Sequence, residues 1–156
     1  PPRSTLFPYT TLFRSHDQIG RLKVHALREN IQRINPDVSV KAFDLKLCTS
    51  DIVDLYSKCD VIVEAFDKAE MKYMIIETVL TKIPDKPLVV GVGMAGWGNT
   101  NFLHCRYSEN LIICGDESSE VSESLPVLAP RVGIVANMQA NEVLKILLKE
   151  FKPVDV

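Results

Sequence analysis

Apolar residues recur at helical spacing near the start of the chain. Val24, Leu27, Ile31 and Ile34 form one stripe between Gly20 and Ile34, which predicts an amphipathic helix. Asn35-Pro36 ends it, because the residue before a proline is pushed out of the helical region. From Val38 to Leu45 the pattern becomes alternating, with Val38, Val40 and Ala42 separated by polar residues, and predicts a strand. Ser50-Asp51 offers a cap for a short helix to about Ser57, with Ile52, Leu55 and Tyr56 inward. The run Asp60 to Phe66 is rich in β-branched residues and predicts a buried parallel strand that ends at Asp67. Lys68 to Lys82 predicts a helix with Met71, Met74, Ile75, Thr78 and Val79 on one face. Pro84 to Pro87 is a turn, and Leu88 to Val92 a second buried strand. Strand-like segments follow at Phe102 to Tyr107 and Leu111 to Cys114, within the stretch Gly93 to Gly115. Asp116 to Leu125, DESSEVSESL, predicts a mobile surface loop. Pro130 fits the first turn of a last helix running to about Lys149, with Val135, Met138, Val143, Ile146 and Leu147 inward.

Helices alternating with strands imply an α/β fold, a Rossmann-like, mostly parallel sheet flanked by helices. In such sheets ligands bind beyond the carboxyl ends of the strands. Residues immediately after strands are therefore the ones to weigh for chemistry.

Composition narrows the function classes. The chain has 156 residues, 18 basic and 20 acidic side chains, and a formal net charge of −2. That balance argues against a nucleic-acid module held by phosphate contacts. No apolar run approaches the ~20 residues that span a bilayer. The four cysteines, Cys48, Cys59, Cys105 and Cys114, form no C-x-x-C pair, and no histidine stands at zinc-finger spacing. Nothing reads as a secretory signal. The expectation is a reduced, cytosolic protein whose cysteines are small core residues or spectators. Residues 1–15, PPRSTLFPYTTLFRS, have neither helical nor strand period and resemble a translated sequencing adapter. They are read as a non-native leader. Without Arg3 and Arg14, the other 141 residues carry 16 basic and 20 acidic side chains, net −4.

Asp67 follows a strand and opens a helix, where a carboxylate can meet helix N–H groups or hold a metal–phosphate. Position alone favours the plainer reading, a helix N-cap. Gly91-Val92-Gly93-Met94-Ala95-Gly96 matches G-x-G-x-x-G. A dinucleotide fingerprint needs a helix directly after it, and Trp97-Gly98-Asn99-Thr100-Asn101 is turn chemistry. Glycines that allow a bend and close strand packing account for it better. Lys23, three residues after Gly20, could meet a triphosphate as a point charge; by itself it reads as a surface lysine. His16, His25 and His104 are scattered and read as solvated. Ser118, Ser119, Ser122 and Ser124 lack a G-x-S-x-G elbow, so a hydrolase has no support.

Several segments in order carry a more specific signal. They are D-Q-I-G-R-L-K at Asp17 to Lys23, R-I-N-P at Arg33 to Pro36, V-E-A-F-D at Val63 to Asp67, G-M-A-G-W-G at Gly93 to Gly98, C-G-D at Cys114 to Asp116, and A-P-R-V-G-I-V-A-N-M-Q-A-N at Ala129 to Asn141. Together they resemble the ThiF family, sulfur-carrier-protein adenylyltransferases related to MoeB and to ubiquitin-activating enzymes. The shorter branch without zinc-binding cysteine pairs is the nearest likeness. The resemblance implies a partial ThiF-type nucleotide-binding domain over residues 16–150, missing its first βα unit, with a tail at 151–156. It implies ATP-dependent adenylation of the C-terminal Gly-Gly of a ubiquitin-like carrier (ThiS), on the route to the thiazole of thiamine. By the G-x-x-K match, Lys23 would neutralise phosphate charge as the adenylate forms. By the strand-end match, Asp67 would bind the Mg2+ that bridges the phosphates. Zinc is not expected.

The departures shape the expectation. The family's glycine-rich ATP loop, ribose-binding acid and nearby Asn and Arg precede the D-Q-I-G segment, where this chain has residues 1–15. Lys68 stands where many relatives have Asn. Glu120 to Leu125 offers no cysteine for sulfur transfer, and Cys114 is given no catalytic role. A chain lacking the first strand and helix should expose a sheet edge and be inactive alone. Relatives act as dimers, which leaves a homodimer open. Rival readings are a tRNA threonylcarbamoyladenosine cyclising enzyme, an NAD-dependent dehydrogenase using Gly91 to Gly96, and a non-catalytic carrier-binding module.

Overall fold

The computed structural model describes residues 16–148. The predicted leader 1–15, the predicted helix end at Lys149 and the tail 151–156 lie outside the described residues. The chain divides into two compact units, Pro1–Lys46 and Leu47–Val156.

The first unit holds a single 3-10 turn, His16–Gln18, and helix α1, Lys23–Ile34. Gln18 Nε2 donates to Asn30 Oδ1 at 2.8 Å and Asn30 Nδ2 donates back to Gln18 Oε1 at 3.2 Å. This reciprocal amide pair satisfies the buried Gln18 side chain. Glu29 receives Arg21 at 2.7 Å and Arg33 at 2.6 Å. The predicted apolar stripe is only partly covered. Val24 and Ile31 are half-buried, Leu27 and Ile34 are exposed, and Ala26 is the buried position. A stripe is buried only where another element lies on it, and the turn His16–Gln18 is the one other regular element described in this unit. The strand expected at Val38 to Leu45 does not form: no residue there is assigned to a strand, and Val38, Phe43 and Leu45 are exposed. Alternation supplies a two-faced segment, but a strand also needs a ladder partner, and no described strand pairs with it.

The second unit contains α2 (Thr49–Tyr56), β1 (Ile62–Glu64), α3 (Ala69–Lys82), β2 (Leu88–Val92), a 3-10 turn (Thr100–Phe102), β3 (His104–Ser108), β4 (Leu111–Gly115) and α4 (Ala129–Leu147). The sheet order is β1-β2-β4-β3. β1, β2 and β4 run parallel, and β3 returns antiparallel to β4. This is the expected α/β class with a mostly parallel sheet. Period-two alternation splits the core between the faces. Ile62, Leu88 and Val90 meet Ile52 of α2 and Ile75 and Val79 of α3 on one face. Val89, Ile112 and Cys114 meet Val135 of α4 on the other.

Several boundaries differ from expectation. The N-cap of α2 is Cys48, and Asp51 accepts the Cys48 N–H at 2.8 Å. β1 has three residues rather than seven, and Val63 is exposed, so only one of its faces is buried. Phe102 belongs to the 3-10 turn rather than to β3. On α4 the buried residues are Arg131, Val135, Gln139 and Glu142, whereas Leu147 is half exposed. Arg131 and Gln139 take that face because they donate to the carbonyls of Gly98, Glu64 and Val89, and Glu142 pairs with Lys145.

Candidate functional site

The three parallel strands end on one edge, at Glu64, Val92 and Gly115. Two glycines there have a conformational reason. Gly115 has φ +138°, and a Cβ on it would stand 1.8 Å from the Val92 carbonyl oxygen. Gly93 has φ +71°, and a Cβ would stand 2.1 Å from Asp116 Oδ1. The ends of β2 and β4 therefore meet backbone to backbone, with Asp116 N–H donating to Gly93 O at 3.1 Å and Glu117 N–H to Val92 O at 3.3 Å. No helix directly follows Gly96; the next helical element is the 3-10 turn at Thr100–Phe102. The glycines of G-x-G-x-x-G serve a close bend and strand approach, as expected.

Glu64 is a buried carboxylate at the end of β1. Lys72 Nζ, from the first turn of α3, reaches both its oxygens at 2.9 and 2.8 Å and also donates to Gly91 O at 3.0 Å. The Phe66 N–H donates to Glu64 Oε1. Gln139 Nε2 of α4 donates to Glu64 O at 3.0 Å. A buried charge is tolerated only when paired and hydrogen-bonded, and here the pairing joins β1, β2, α3 and α4 at the strand ends. It also fixes the turn that leads to Asp67.

A second polar anchor stands at the end of β4. Arg131, near the start of α4, pairs with Asp116 Oδ2 and donates through Nη1 to Gly98 O at 2.7 Å. Asp116 Oδ1 accepts the N–H groups of Ser118 at 2.9 Å and Ser119 at 2.8 Å. Burial alone would raise the Asp116 pKa. The Ser119 and Ser118 N–H groups, the Ser119 side chain and Arg131 outweigh it and hold the carboxyl at about 2. The Ser119 hydroxyl oxygen accepts Ala95 N–H at 3.2 Å. Thus the start of the predicted mobile loop is fastened, because Asp116 gathers its backbone N–H groups. Nearby, Glu117 pairs with Arg106 at 2.6 Å and with His104 at 3.1 Å. The Phe102 carbonyl and Glu117 together raise the His104 pKa.

Lys23 is the first residue of α1, exposed, in the first unit. Asp67 lies in the second unit, exposed, between β1 and α3, and the N-cap of α3 is Lys68. The plain N-cap reading therefore belongs to the next residue. Cys114 is buried, with its thiol pushed up to about 12 by burial and by the neighbouring Cys105. Glu64, Lys72, Arg131, Asp116 and Gln139 carried no role in the sequence reading, although all but Lys72 stand in its quoted motifs. The signals were a glutamate inside an apolar strand and an arginine and a glutamine at core spacing on α4. Among the described residues no group of three or more His, Cys, Asp or Glu gathers as a metal site, and no helix is long and apolar enough to cross a membrane.

Fold and edge define a Rossmann-like α/β domain with an elaborated polar rim at its strand carboxyl ends. The chain belongs to the ThiF family, whose profile matches residues 10–155. It is similar to the adenylyltransferase and sulfurtransferase UBA4 of Eremothecium gossypii, 28% identical over 88% of this chain and 34% of that protein. It is likewise similar to the adenylyltransferase and sulfurtransferase MOCS3 of Caenorhabditis briggsae, 29% identical over 85% of this chain and 34% of that protein. The chain thus spans about a third of the length of these relatives. The solved E. coli tRNA N6-threonylcarbamoyladenosine dehydratase, TcdA, in complex with AMP has the same fold. Its TM-score is 0.72 at 15% identity, covering 87% of this chain and 68% of that one.

Proposed function

We propose that this chain is part of an adenylyltransferase that activates the C-terminal Gly-Gly carboxylate of a ubiquitin-like sulfur carrier with ATP. The observation that carries the reading is the family match over residues 10–155, joined to a strand-end rim that presents Asp67. The chemistry is nucleotidyl transfer: a carrier carboxylate oxygen attacks the α-phosphorus, the bond from that phosphorus to the bridging oxygen breaks, and pyrophosphate departs. The protein's task is positioning and charge neutralisation. Lys23 supplies an ammonium for the phosphates, and Asp67 a carboxylate for Mg2+. Such a carboxylate at a strand end suits Mg2+, which takes one or two carboxylates together with substrate phosphates and water. When bound, Mg2+ offsets charge on the phosphate oxygens. The Glu64–Lys72 pair and its bond to the Phe66 N–H hold the turn on which Asp67 stands. A ThiS-type carrier in thiazole formation is the specific substrate we favour, in the cytoplasm.

Residues 1–15 contain no glycine and so no G-x-G-G-x-G loop. The test is ATP–pyrophosphate exchange, with and without a carrier ending in Gly-Gly. One protein is this chain, and the other is the chain joined after a relative's strand and glycine-rich loop. Exchange that requires the carrier is expected of the joined protein and not of the chain alone. Lys23→Ala and Asp67→Asn should each lower it by at least about a hundredfold, the scale of losing one electrostatic contact to a transition state. Carrier binding with no ATP dependence would support the binding-module reading. A requirement for threonylcarbamoylated tRNA in place of the carrier would support the cyclising enzyme.

A further inference from the structure

Cys105 of β3 and Cys114 of β4 stand directly opposite each other in the antiparallel ladder. Their sulfurs are 3.4 Å apart. Opposed residues in such a ladder have Cα atoms about 4.5–5.5 Å apart, within the about 4.4–6.8 Å that a disulfide spans. The two thiols differ in access. Cys114 is fully buried, against Val89, Ile112 and Val135. Cys105 is half-buried and lines an open groove of about 660 Å3 beside α4, with Pro130, Ile134, Met138 and Glu142. One sulfur is reachable from outside, and the other waits behind it at contact distance.

We propose that Cys105 and Cys114 form an oxidative modification site, in which Cys105 takes a low-molecular-weight disulfide through the groove and Cys114 resolves the adduct into a cross-strand disulfide. In the first step the Cys105 sulfur attacks one sulfur of the small disulfide. A protein–small-molecule S–S bond forms, the small S–S bond breaks, and one small thiol leaves. In the second step the Cys114 sulfur attacks Cys105 Sγ. The mixed S–S bond breaks, the Cys105–Cys114 bond forms, and the second small thiol leaves. The protein loses two electrons and two protons, and both pairs end on the two departing thiols. Burial disfavours the Cys114 thiolate, so entry belongs to Cys105, and proximity drives the second step. The other cysteines have no second thiol beside them: Cys48 is exposed and open to a small disulfide but lies against Ser50, and Cys59 packs beside the α2–α3 core. The bond would staple the outer strand β3 to β4 and remove the Cys105 thiol from the groove.

The test is incubation of the folded 156-residue chain with oxidised glutathione, alkylation of remaining thiols, and peptide mass spectrometry. The expected product is a Cys105–Cys114 cross-linked peptide, lighter by two hydrogens and restored by dithiothreitol, with Cys59 alkylated and the exposed Cys48 either alkylated or carrying a glutathione that no second thiol resolves. Cys114→Ala should stop at one glutathione on Cys105, and Cys105→Ser should give no cross-link and no adduct on Cys114. The proposal fails if Cys105 and Cys114 are both alkylated, if Cys105 keeps glutathione in the unsubstituted chain, or if the cross-link involves Cys48 or Cys59.

Discussion

Replacing Arg131 with methionine keeps the apolar stem of the side chain and removes its guanidinium. The side chains of Arg131 and Asp116 are only 7% and 6% exposed. Removing one partner of a buried pair leaves an uncompensated charge and costs about 3–5 kcal/mol. Asp116 would keep the Ser118 and Ser119 N–H groups at 2.9 and 2.8 Å, which places the cost near the lower end. The bond to the Gly98 carbonyl at 2.7 Å would also be lost, adding about 1 kcal/mol. The expected loss for Arg131→Met is therefore about 3–4 kcal/mol, a large share of the 5–15 kcal/mol typical of a domain. Urea unfolding followed by far-ultraviolet circular dichroism at pH 7 measures it. Asp116→Asn and the double variant complete a thermodynamic cycle, and residues in direct contact should couple by at least about 1 kcal/mol. A loss below about 1 kcal/mol, or simple additivity in the cycle, would refute the anchoring role.

The same pair gives a pH prediction. The folded Asp116 pKa of about 2 lies below its usual 3.8, so Asp116 stabilises the fold above about pH 4 and that contribution disappears as pH falls through 2. It amounts to about 2 kcal/mol, and acid unfolding of Asp116→Asn should lack this component. Lys72→Met strands the buried Glu64 carboxylate and should cost about 3 kcal/mol, whereas Glu64→Gln with Lys72→Met should recover to within about 1 kcal/mol of the starting stability, both read by urea midpoints. Gly115→Ala would drive a methyl into the Val92 carbonyl at φ +138°; a loss of about 3 kcal/mol is expected, and an unchanged thermal midpoint would count against the close approach of β2 and β4.

The helices were readable because their apolar spacing and their punctuation agree. Met71, Met74, Ile75, Thr78 and Val79 lie on the covered face of α3 as their spacing implies, and Pro130 opens α4. Val38 to Leu45 misled because alternation describes a face, whereas a strand exists only through a neighbour's hydrogen bonds. The rim at the strand ends was partly legible. Position after a strand singled out Asp67, but Glu64 was hidden inside a run that looked uniformly buried. Its pairing with Lys72 and Gln139 depends on α3 and α4 returning to the same edge. Arg131 was hidden for a similar reason: its partner, fifteen residues upstream, lies across a loop that composition marks as mobile.

Trp97 is the chain's one tryptophan. It stands 64% exposed between Gly96 and Gly98, on the segment whose carbonyl Arg131 grips. Its indole already faces water in the native state, so global denaturation should move its emission maximum little. Quenching by acrylamide would instead report on that rim alone, making the residue a built-in optical probe of the strand ends.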